Sequence, residues 1–131
     1  MDKPQLLTQD ELLVIRKCVL LPLLIHVIDT NMDDLKYSES TFKDLYMVST
    51  EVVLDFINRD YLDARQQLSK AKIKIVEATP VAKYEVNYTI FYRGYQEEFR
   101  MMKSVVKAQL SIALGNYIKE IGELIKQIKR V

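Results

Sequence analysis

One histidine in 131 residues, His26, limits what this chain can catalyse. A Ser, Cys or Thr nucleophile needs a base within hydrogen-bond reach, and the single cysteine, Cys18, stands eight residues away. On a helix that separation is about 12 Å along the axis, too far for a thiol–imidazole couple. His26 therefore reads as a partly buried histidine with Asp29 three residues on, and Cys18 as a small buried hydrophobe in CVLLPLL. The neighbouring carboxylates Asp33-Asp34 and Glu97-Glu98 would point about 100° apart on a helix. They read as solvated charges, not as an acid–base couple.

Metal chemistry fares no better. A di-iron bundle needs two Glu-x-x-His pairs, and the chain contains none. Asp29, Asn31 and Asp33 have the alternation of a calcium loop, but Asp34 stands where that loop needs glycine and Ser40 where it needs a bidentate glutamate. No catalytic residue, metal ligand or cofactor is expected.

Two stretches suit recognition. Between Tyr84 and Lys107, Tyr88, Tyr92 and Tyr95 are interleaved with Arg93, Arg100 and Lys103. Such a mixture suits base stacking and phosphate neutralisation, although tyrosines at helical spacing more often fill a bundle seam with their hydroxyls at the rim. The second stretch is Leu110, Leu114, Tyr117, Ile121, Leu124, Ile128 and Val131, which alternate steps of four and three as a heptad seam does. Gly115 and Gly122 weaken that helix or admit another helix closely. Tyr88, Tyr92, Arg93, Tyr95, Leu110, Leu114, Tyr117, Ile121, Leu124 and Ile128 are the expected interaction residues.

The elements that carry these residues are long, because three Gly and three Pro leave few turns. Thr8 and Glu11 have capping-box spacing and start a first helix. Pro22 should kink that helix, which runs to about Thr30. NMDD and YSES form a connection ending near Ser40 or Thr41, and a second helix continues to about Lys70. From Lys72, KIKIVE alternates like a strand. With no partner evident it reads as an extended connector.

Thr79-Pro80 then starts a third helix. Tyr84, Val86, Tyr88, Ile90 and Tyr92 alternate, whereas Tyr84, Tyr88, Tyr92, Tyr95, Phe99 and Met102 step by three and four; the helical set is longer, so helix is preferred. A turn falls at Arg100 to Ser104, and the heptad seam follows. The expectation is one all-α domain over residues 1–131, a four-helix bundle with a kinked first helix and a short extended connector before the third helix.

LPLLIHVID, FKDLY, IKIVE and YRGYQEE, in that order, resemble the YhjD-like family of small bacterial proteins. The resemblance spans Leu12 to Tyr117, with Tyr92-Arg93-Gly94-Tyr95-Gln96-Glu97-Glu98 its sharpest element. It implies a helical protein and transfers no activity.

The apolar run Cys18 to Ile25 is shorter than the roughly 20 residues a bilayer requires, and acidic residues stand where a signal peptide would be basic. No membrane is expected. With one cysteine, the chain fits a reducing cytoplasm. Seven Lys and Arg against two Glu leave the segment from Arg100 at +5 and residues 1–99 at −4.

By elimination the expected function is a non-enzymatic helical interaction module, a small regulator or accessory protein that docks a helical face on an unknown protein partner and forms a homo-oligomer. The alternative is an accessory nucleic-acid binder using the basic C-terminal region, and an enzyme ranks last.

Overall fold

The computed structural model describes residues 6–39 and 41–129. Ser40, expected as a helix start and a calcium-loop position, and Val131, expected as the last seam residue, lie outside them. The order is α1 (Gln9–Lys36), α2 (Lys43–Lys70), β1 (Ile73–Ala78), β2 (Glu85–Tyr92), β3 (Tyr95–Met102) and α3 (Lys103–Lys129). Three helices and a three-stranded antiparallel sheet make an α+β fold. The expected all-α four-helix bundle is thereby overturned.

α1 starts as its sequence dictates. Glu11 donates its amide to Thr8 Oγ1 at 3.1 Å, and the Thr8 amide donates to Glu11 Oε1 at 2.9 Å, closing the capping box. Pro22 stays inside the helix, which continues past Thr30 to Lys36. Asn31 and Asp33, expected in the connection, are thus exposed helical residues, as is Asp29. The link to α2 is shorter than expected, and α2 begins at Lys43 with Phe42 at its N-cap position and no side-chain cap.

α2 ends at Lys70 because Lys72 adopts φ 58° and its amide returns to the Ser69 carbonyl at 3.2 Å. A left-handed residue just past a helix satisfies a carbonyl the helix leaves free and redirects the chain. The expected connector is a real strand. Its partner is the segment expected as a third helix, with Ile73 opposite Tyr92 and Ile75 opposite Ile90. β2 turns into β3 through Arg93-Gly94, with φ of 46° and 82°, and Tyr92 pairs with Tyr95 across it. Two successive positive φ values define the two-residue turn whose twist suits a hairpin. Thr79-Pro80 therefore sits in the loop from β1 to β2, and the turn expected at Arg100 to Ser104 is absent, since β3 passes directly into α3.

The order β1-β2-β3 puts Ile73, Ile75, Tyr88, Ile90, Tyr92, Tyr95 and Phe99 on one face. They pack on Ile15 of α1 and Leu68 of α2. A second cluster joins Leu21, Leu24 and Ile28 of α1 with Val53 and Ile57 of α2, and Leu110, Ala113, Leu114, Tyr117 and Ile121 of α3 lie against it. Each fully buried aliphatic side chain in these clusters stabilises by roughly 2 kcal/mol. The α1–α2 hairpin thus serves both layers: the sheet covers one end of it and α3 covers the middle.

Candidate functional site

Where the sheet meets the helices, the Arg93 fork holds Glu11. Nη1 donates to Oε2 at 3.0 Å and Nη2 to Oε1 at 3.1 Å, and Nη2 also donates to the Leu6 carbonyl at 3.0 Å. One carboxylate thereby caps α1 and pins the hairpin turn. The Arg93 hydrogen bonds, followed by those from the Thr8 amide, hold the Glu11 carboxyl at about 2, well below its ordinary value. Beneath the turn, Tyr92 is only 2 % exposed and its hydroxyl donates to Glu97. That hydrogen bond and then burial push the phenol up to about 12.

Beside this clasp lies a groove of about 530 Å³, lined by Cys18, Tyr61, Arg65, Leu68, Ile73, Lys74, Glu77 and Tyr88 among others. Burial raises the Cys18 thiol, and the Arg65 guanidinium only partly opposes this, so the sulfur is held as a thiol and not as the thiolate that attacks or binds metal. Arg65 lies over the Tyr61 ring, 5.6 Å from its centroid. Tyr88 is raised by burial and by Glu77. His26 is exposed on α1, not partly buried as its apolar neighbours suggested. Among the described residues no three of His, Cys, Asp and Glu converge where a metal ion could sit. The groove combines apolar walls with the cations Arg65 and Lys74 and the carboxylate Glu77.

On the other layer, Tyr117 of α3 donates its hydroxyl to Asp60 Oδ2 at 2.7 Å. Arg59 Nη2 reaches Asp60 at 3.3 Å and Glu120 at 3.5 Å. Burial and then the Asp60 carboxylate raise the Tyr117 phenol strongly, so it stays a hydrogen-bond donor and fixes α3 on α2.

The residues expected to mediate interaction separate into groups that the structure does not bring together. Tyr92 is core, and Tyr88 and Tyr95 are half-buried against the same cluster. Arg93 clasps Glu11. Leu110, Leu114, Tyr117 and Ile121 lie against the chain's own second cluster. Leu124 and Ile128, the next residues on the same seam, are exposed, Ile128 by 73 %.

Other open apolar residues are not among those expected to interact. At the start of α2, Phe42, Leu45, Tyr46, Val48 and Val52 are all exposed, Leu45 and Val48 by 59 % each, and Phe42, Leu45, Tyr46 and Val52 share the spacing of one helical face. Val105, Ile112, Ile118 and Ile125 are exposed on α3, as are Leu12 and Leu13 on α1. Periodicity alone would assign the α2 residues to a core, and nothing in a helical period says whether the chain itself supplies the cover.

The model of the family described as YhjD protein matches residues 6–122. The chain belongs to the YhjD family. No curated protein and no solved structure matches it. Within the matched residues, the hairpin YRGY that carried the resemblance is the Glu11 clasp itself, which gives this part of a YhjD chain a folding role. No described helix of this YhjD chain is long and apolar enough to cross a membrane.

Proposed function

We propose that this YhjD-family chain is a non-enzymatic interaction module, a small cytoplasmic accessory protein that docks the first half of α2 on a protein partner. One observation carries the reading: Phe42, Leu45, Tyr46, Val48 and Val52 lie exposed together on the first turns of one helix. Monomeric soluble proteins seldom expose contiguous apolar patches of more than a few hundred Å² unless something binds there. A helix face of this spacing suits a hydrophobic groove or another helix, with apolar anchors at i, i+3 and i+4.

The test places a photo-crosslinking amino acid at position 45 or 48 and identifies the adduct in cells. A single recurrent protein adduct, lost in the Leu45→Glu/Val48→Glu variant, is the expected result. Adducts no different from those formed at exposed Asp63 of α2 would end the proposal.

Nucleic-acid binding remains the alternative, favoured by a different observation. Lys72, Lys74 and the exposed ring of Phe91 line one shallow cavity of about 330 Å³ beside the hairpin turn. Phosphate contacts there would give an affinity that falls steeply with salt. An electrophoretic shift absent at low salt would remove this reading.

A further inference from the structure

The order β1-β2-β3 leaves β1 at an edge of the sheet, and the register tells which of its backbone groups face outward. The Lys103 amide donates to the Tyr84 carbonyl at 2.7 Å, in line with the pairing that sets Tyr92 opposite Tyr95. Residues of a middle antiparallel strand bond alternately to the neighbour on either side. The even-numbered residues of β2 therefore bond to β3, and Asn87, Thr89 and Phe91 bond to their partners Ala78, Val76 and Lys74 in β1. Ile73, Ile75 and Glu77 are left with amide and carbonyl directed away from the sheet. No described segment pairs with them.

A groove of about 530 Å³ runs along this edge. On one side it is lined by Ile73, Lys74, Ile75 and Glu77, and on the other by Tyr61, Arg65, Leu68 and Ser69, which share one face of α2 at helical spacing. An edge strand with unpaired backbone is a template for another extended chain, and pockets beside it select alternate side chains of that chain. The charges along the groove are uneven. Arg65 lies over the Tyr61 ring, and neither Arg65 nor Lys74 has a carboxylate partner among the described residues. The edge of β3 differs, since it carries Glu97, Glu98 and Arg100, the last two joined to each other. Charges set along an edge in this way keep other strands off it.

We infer that an extended, acidic segment of a protein partner adds to β1 as a fourth strand in the groove between β1 and α2. It runs antiparallel to β1, the slightly more stable sense of pairing. Its residues opposite Ile73, Ile75 and Glu77 exchange amide–carbonyl hydrogen bonds with them and turn their side chains towards α2. Those opposite Lys74 and Val76 turn theirs to the outer face. Charge complementarity places one carboxylate side chain on the α2 side for Arg65 and another opposite Lys74, and excludes an acid opposite Glu77. A second copy's β1 does not meet this demand. Antiparallel edge pairing would set odd-numbered residues opposite odd-numbered ones, so Lys74 never meets Glu77 and keeps no partner. The surface is distinct from the exposed face at the start of α2 and does not depend on that face being a docking site.

A phage-displayed library of short random peptides, panned against the purified full chain, should enrich acidic sequences with β-branched residues at alternate positions. With an enriched peptide bound, amide hydrogen exchange followed by NMR should slow at Ile75 and Glu77. It should stay unchanged at Val76 and Ala78, whose amides already bond to β2. N-methylation of alternate peptide residues should weaken binding by about tenfold or more in one phase and little in the other. Glu77→Pro should weaken it similarly with circular dichroism unchanged, because that amide faces away from β2 and proline is tolerated at an edge. Glu77→Gln, which keeps the amide, should not weaken it. Arg65→Glu, a change at an exposed residue, should lower affinity, whereas Leu45→Glu/Val48→Glu should leave it intact, so this inference and the α2 reading fail separately. Enrichment of no peptide overturns the inference. So does a bound peptide that slows exchange at the start of α2 instead of β1, or one that tolerates N-methylation in both phases. A doubled mass by light scattering, with Ile75 protected before any peptide is added, would give the edge to a second copy and overturn it as well.

Discussion

The two ends of the α1–α2 hairpin use similar residues to opposite effect. At one end Ile15 and Leu68 are sealed by the sheet, with Tyr92 over them and Glu11 clasped by Arg93. At the other, Phe42, Leu45, Val48 and Val52 of α2 have the same apolar character and lie open. Helical apolar spacing therefore marks faces that need cover without telling whether the cover comes from the chain or from outside. The sealed end holds the fold, and the open end, with the last turns of α3, keeps apolar side chains exposed.

The contrast breaks first if the buried and open residues respond alike to truncation. Ile57 is 0 % exposed, and Ile57→Ala should cost about 3 kcal/mol through lost burial and a cavity. Leu45→Ala should change the unfolding midpoint in urea little, within about 0.5 kcal/mol. Equal losses would mean that α2 is covered along its whole length.

The clasp gives the next largest effect, and it has a pH signature. The Glu11 carboxyl is held at about 2 against an ordinary 4.5, so the folded state binds its proton less readily than the unfolded chain does. The stabilisation is complete above the unfolded value and is lost as pH falls from about 4.5 towards 2. Solvent reaches this pair, which screens the effect to about 1 kcal/mol. Glu11→Gln should lower stability by about that amount at neutral pH and flatten the acid limb of the unfolding curve. An acid limb identical to that of the parent protein would show that the clasp does not tie the sheet to α1.

Glycine substitutions sharpen the contrast on a smaller scale. Gly94 has φ +82°, and Gly94→Ala should cost about 1 kcal/mol because an L side chain is strained there. At Gly115 a Cβ would meet nothing within 4 Å, and Gly115→Ala in the helix interior should raise stability by up to about 1 kcal/mol. Thermal unfolding of the two variants should therefore move in opposite directions.

How far the sequence is legible differs along the chain. Thr8 and Glu11 announce the start of α1 because a capping box is closed by residues three apart, and the last helix announces itself by its seam. Pro80 misleads, since the residue types that start a helix also fill a strand connection. The tyrosines satisfy two periods at once, alternation over Tyr84 to Tyr92 and steps of three and four over a longer run. The longer set favours a helix, but the Arg93-Gly94 turn breaks it. Once β2 and β3 form, Ile73 to Ala78 has a strand partner that no signal within its own residues announces.

Everything that residue order settled unaided is local: the first helix start closed by neighbouring residues, the α3 seam, and the pattern that placed the chain with the YhjD proteins. Three matters waited for the folded chain. The tyrosine stretch is a hairpin, Glu11 meets Arg93, and Ile121 of the α3 seam is covered while Ile128 is open. The physical reason is common to all three. A strand needs backbone donors and acceptors from another segment, an ion pair needs its far partner, and burial is a property of what lies opposite a residue, none of which a single stretch of sequence contains.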